Sequence, residues 1–166
     1  MRHALGISPH TGWAACVVVG GSLAKPAIVA NEIVHVLPDA ERFLFHMAAD
    51  MERSAVEKWI ASSRKKALAA AKKALAPLIA RGVSTCAIVA KPGDPGDIDH
   101  ILAAHPRLHS AEGCFYRDVF RDACSVPVRL VPPRSLDITP VGKLAPPPWG
   151  RDQKLAALAA WTALKS

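Results

Sequence analysis

Asp94, Asp97, Asp99 and His100 crowd into one short stretch, KPGDPGDIDH, directly after an apolar run. Clustered carboxylates suit a hard divalent cation such as Mg²⁺ or Mn²⁺, and open sheets commonly carry their sites at strand ends. The same residue types on a Gly-Pro loop also serve as turn formers and helix N-caps. The spacing matches no established ligand pattern. These acids are therefore weak metal candidates, and no cofactor is expected.

Histidines raise two further questions. His10 sits in the polar turn Ser8-Pro9-His10-Thr11-Gly12 between two apolar runs. There an imidazole could contact a phosphate or act as a base, or simply face solvent. His100, His105, His109 and Cys114 are zinc-ligand types, but they lack the paired short spacings of a structural zinc site. Pro106 is expected to interrupt any helical face they might share. Ordinary loop and surface histidines are the expectation.

The basic residues make a stronger pattern. No acid occurs between Glu57 and Asp94, while Lys58, Arg64, Lys65, Lys66, Lys72, Lys73, Arg81 and Lys91 fall inside that interval. A local positive field follows. A solvated helix face is one reading, and a polyanion partner, DNA or RNA, is the other. The chain has 4 Phe and 1 Tyr, too few to build an aromatic surface for single-strand stacking. There is no Gly-rich phosphate loop and no Gly-x-Ser-x-Gly nucleophile elbow.

The elements that must position these residues follow from periodicity. Residues 3–8 and 13–19 are apolar runs flanking a short turn, which predicts a hairpin. A third strand over 27–37 has no wholly polar face, so structure is expected on both of its sides. From Asp39 the spacing becomes helical, and Ser54-Ala-Val-Glu57 has the form of a capping box opening a second helix that runs to about Ala80. Lys58, Lys65 and Lys72 then share one face of it, seven residues apart. A strand at 83–90, a helix from about Ala111 to Cys124, a strand at 126–133 and a terminal helix from Arg151 complete the order.

The 166 residues are 51% apolar, enough for one core in a single domain over 1–166. The formal charge is +7. The four cysteines form no C-x-x-C pair and are expected to be reduced. No run approaches the ~20 apolar residues that cross a bilayer, and the opening residues lack the long uninterrupted apolar segment of a signal peptide, so none is expected. No membrane partner is expected, and the cytoplasm is the default location.

Three strands, a helical stretch, then strand, helix, strand and helix resemble the ribonuclease H-like fold: a three-stranded antiparallel meander joined by two parallel strands, with helices on both faces. Leu5-Gly6-Ile7-Ser8-Pro9-His10 followed by Thr11-Gly12-Trp13 resembles the opening hairpin of its Holliday-junction resolvase (RuvC-like) branch. VPVRLVPPRSLD resembles that family's fifth strand. The resemblance implies a nuclease whose carboxylates hold two divalent metals, yet Ser8 stands where the first carboxylate belongs and Lys91 near the second. Of the last carboxylates, on the terminal helix, Asp152 is the single acidic match. The expectation is a nucleic-acid-binding relative with a lost or altered metal site, lined by Ser8, His10, Lys91 and Asp152. Lys58, Lys65, Lys66, Lys72 and Lys73 would contact phosphates. The alternatives are a divergent Mg²⁺- or Mn²⁺-dependent phosphodiesterase and a non-catalytic interaction module. A homodimer is the further partner considered.

Overall fold

A computed structural model describes residues 2–165; Met1 and Ser166, the two ends of the expected domain, lie outside the described residues. The opening hairpin forms from β1 (His3–His10) and β2 (Trp13–Gly21), and β3 (Pro26–His35) continues the meander. Its tight turn pairs His10 with Trp13 and puts Gly12 at φ +87°, a conformation glycine adopts without a steric cost. Two helices follow, α1 (Leu44–Ala49) and α2 (Arg53–Ile79), then β4 (Val83–Val89). After these come α3 (Ile98–Leu102), α4 (His105–Ala123), β5 (Val128–Val131) and α5 (Arg151–Leu164). The sheet order is β3-β2-β1-β4-β5, antiparallel through the meander and parallel where β1 meets β4 and β4 meets β5.

Each face of the sheet carries its own core. Leu5, Ile7, Cys16, Val18 and Ile88 pack under α2 and α4 with Leu75, Tyr116 and Phe120. Ala4, Val17, Val19, Ala87 and Val89 pack against α5, which presents Ala156, Ala157, Ala159 and Ala160. Small residues on both sides let α5 lie close to the strands. Among the described residues no helix is long and apolar enough to cross a membrane.

Four local readings of the sequence need correction. First, Ser54 does not cap α2: the helix begins at Arg53 after Glu52, without a side-chain cap. Glu57, the expected reciprocal partner, instead accepts both its hydrogen bonds from Arg53 Nη1, each at 2.8 Å. Second, α4 begins at His105 and not near Ala111. Third, Pro106 occupies its first turn, where the missing N–H is no loss and the fixed φ favours the helix. It therefore starts a shared helical face and does not interrupt one. Fourth, β5 is shorter than 126–133, because Pro127 and Pro132 flank it and neither can donate to a ladder.

Candidate functional site

The C-terminal ends of β1 and β4 lie side by side at the centre of the sheet, joined by the register Ile7↔Ile88. Alternation along β1 sends Leu5 and Ile7 to the α2–α4 core and turns Gly6 toward the Ala156 backbone of α5. Ser8 and His10 therefore share the α5 face. Ser8 is 4% exposed and pairs with Ala15 across the hairpin. His10 Nε2 stands 2.8 Å from Asp152 Oδ1 in the first turn of α5. The two side chains approach closely without an aligned hydrogen bond, and the His10 ring stacks on Trp13 at 4.3 Å.

The structure thus places Ser8, His10 and Asp152 at one strand-end site. Extending the register one step sets Ser8 beside Val89, a buried apolar residue on the same face. Lys91 lies beyond it in the loop. It lines a cleft of about 380 Å³ on the α4 side with Pro9, Cys114 and Arg117. Arg117, overlooked in the sequence because nothing in its spacing marks it, is 6% exposed. Its guanidinium donates to the Lys91 carbonyl at 3.0 Å, the Gly93 carbonyl at 2.9 Å and the Asp118 carboxylate at 2.8 Å. Most of its donors are used, so it acts as a strut that fixes the 91–93 loop.

The acids of the KPGDPGDIDH stretch have separate partners. Asp94 accepts the Gly96 N–H in a turn at 2.8 Å, and Asp97 caps α3 by accepting the His100 N–H at 2.8 Å. Asp99 binds Arg53 Nε at 2.7 Å, and that guanidinium holds its carboxyl below the usual range. Two-metal phosphodiester chemistry needs carboxylates that share ions ~3.5–4 Å apart. The strand-end site offers one carboxylate, one imidazole, a hydroxyl and Val89, a donor set that does not fit two hard cations. Among the described residues, the one group of three potential ligands lies elsewhere: His105 and His109 of α4 with His46 of α1. His46 was not singled out in the sequence, and His100 and Cys114 do not join the group. The signal that could have found it was the four-residue interval between His105 and His109.

All five lysines singled out on α2 are exposed. Acids from outside the basic interval neutralise part of the field: Glu41 takes Lys66 at 2.8 Å, and Asp122 takes Arg64. Lys58, Lys65, Lys72 and Lys73 form no ion pair among the described residues. From Lys58 to Lys73 the helix rises roughly 22 Å at ~1.5 Å per residue. Because α2 leads straight into β4, it runs antiparallel to that strand, and Arg53 at its start reaches Asp99 after the strand's end. Lys58 is thus at the cleft end of the row and Lys73 at the far end.

No protein-family model matches the chain, and no curated protein matches it in sequence. Solved structures do. A structure of T. thermophilus RuvC in complex with Holliday junction substrate is 12% identical with a TM-score of 0.58, covering 98% of this chain and 92% of that one. A Thermus thermophilus RuvC structure is 13% identical with a TM-score of 0.58, covering 96% of this chain and 91% of that one.

Proposed function

From the ribonuclease H-like, RuvC-like fold that the chain has, we propose that it is a resolvase-related nucleic-acid-binding protein whose metal-dependent nuclease site is lost or altered. The observation that carries the reading is the row of unpaired lysines along α2, Lys58, Lys65, Lys72 and Lys73, with Lys66 beside it. A likeness in fold to a protein solved with Holliday junction substrate supports branched DNA as the first ligand to try. The strand-end residues Ser8, His10 and Asp152, with Lys91 in the adjoining cleft, line the site where cleavage would have taken place. A single acid there leaves little anionic charge to hold metal against a phosphate.

Fluorescence anisotropy with a labelled four-way junction and a matched duplex tests the binding. Four lysine–phosphate contacts predict a salt slope of about −3.6, so affinity falls roughly 150-fold between 50 and 200 mM salt. Replacing Lys58, Lys65, Lys72 and Lys73 together by Gln should bring that slope close to zero. A slope shallower than about −1 in the native chain, or a quadruple variant that binds like it, overturns the reading.

The competing reading is an active phosphodiesterase using Mg²⁺ or Mn²⁺ with Asp94, Asp97, Asp99 or Asp152. Junction and RNA–DNA hybrid substrates are expected to stay intact after incubation with millimolar Mn²⁺. Cleavage that disappears in Asp152→Asn would restore the enzyme.

A further inference from the structure

His46, His105 and His109 converge where α1 meets the first turns of α4, on the sheet face away from α5. We propose that these three imidazoles bind one divalent cation of the zinc class, with water completing its coordination. His105 and His109 lie one helical turn apart, and their Nε2 atoms face each other at 3.2 Å. Tetrahedral zinc with Zn–N bonds of ~2.0–2.1 Å sets its ligand atoms about 3.3 Å apart, so this pair is already at ligand spacing. The His46 ring centroid is 4.9 Å from that of His105 and 4.5 Å from that of His109. One ligand atom from each residue falls within 4.8 Å of the others.

The buried carboxylate behind His46 gives the cluster the character of a built site. Glu112 is 1% exposed, and its Oε1 lies 2.8 Å from His46 Nδ1. A carboxylate oxygen accepts, so Nδ1 carries the proton and the lone pair is left on Nε2. A ligating histidine whose second nitrogen donates to a carboxylate is the usual outer-shell arrangement of a metal site. The same oxygen accepts from the Phe45 and His46 backbone N–H groups at 3.2 and 3.3 Å, which fixes the turn that carries His46. Its other oxygen, Oε2, is buried without a hydrogen-bond partner.

Imidazole nitrogens select zinc, copper, nickel or cobalt over magnesium. Three protein ligands with an exposed fourth position describe an open site rather than a closed structural one, and His105 and His109 are exposed. The ion would also join α1 to α4.

The test uses the full chain, stripped of metal by a chelator, titrated with Zn²⁺ by calorimetry and with Co²⁺ by visible absorption. One equivalent should bind, with the intense Co²⁺ bands of four- or five-coordination. At a hundredfold excess over Kd the thermal midpoint should rise by about 5–10 °C. His105→Ala and His109→Ala, both exposed positions that the fold tolerates, should each lower affinity at least tenfold. His35→Ala and His100→Ala should leave it unchanged. Binding no tighter than millimolar overturns the proposal. So does a His109→Ala variant that titrates like the native chain, or a His100→Ala variant that loses as much as His109→Ala.

Discussion

Gly6→Ala is expected to destabilise the chain by about 3–5 kcal/mol, a large part of the ~5–15 kcal/mol that holds a typical domain. A Cβ at this position would lie 1.7 Å from the Ala156 carbonyl oxygen and 2.5 Å from its carbon. Both are backbone atoms, so no side chain can rotate away and α5 itself would have to shift. Overpacking costs ~1–3 kcal/mol where neighbours can adjust; here the shift also opens the small-residue core formed by Ala156, Ala157, Ala159 and Ala160. Denaturant unfolding reads the loss as a fall in midpoint. Gly113→Ala is the control: it is an exposed helix position with nothing within 4 Å of the added carbon. Removing a mid-helix glycine should stabilise by roughly 0.5–1 kcal/mol. A Gly6→Ala chain within about 1 kcal/mol of the native one would mean that β1 and α5 are not in backbone contact.

Glu112→Ala is expected to cost about 3–4 kcal/mol in the metal-free chain. Three N–H groups lose their acceptor together: Phe45 N, His46 N and His46 Nδ1. Phe45 is 5% exposed, so water cannot replace the carboxylate there without opening the packing. A helix as short as α1 does not hold together by itself, and this carboxylate, supplied from another helix, satisfies its N-terminal donors. Glu112→Gln retains an acceptor and should lose about half as much. Hydrogen exchange locates the damage: the Phe45 and His46 amides should lose protection before those of α2. Native-like protection there in Glu112→Ala would refute the role.

The fold was legible where one residue's pattern decides one element. Alternation over 3–19 and the Gly12 turn marked the hairpin, and the seven-residue spacing of Lys58, Lys65 and Lys72 marked the exposed side of α2. What sequence spacing missed were competitions among side chains distant in the chain. Glu57 fits a capping box in sequence, but Arg53 and Asp99 organise that corner through an ion pair that joins α2 to α3. The basic interval looked wholly uncompensated because Glu41 and Asp122, which neutralise Lys66 and Arg64, lie outside it. The histidine group was hidden for a related reason. Pro106 starts the helix that carries His105 and His109 instead of breaking it, and His46 belongs to a helix far from α4 in sequence. The resemblance points to Ser8 and Asp152, whereas the close approach of His10 to Asp152 follows from the packing of α5 on β1.

The central position of β1 shapes how the chain must be made. It is made before most of its partners: of its neighbours in the sheet and above it, β4 follows only after α2, and α5 comes after β5. Translation at ~5–20 residues per second leaves an interval on the order of ten seconds between the meander and α5. During that time the nascent β1–β2–β3 sheet has an open β1 edge and a bare alanine–valine face, both able to pair with another growing chain. The α5 face of the sheet is therefore closed by a segment made long after β1, and slower synthesis would lengthen the time for which the meander stands uncovered.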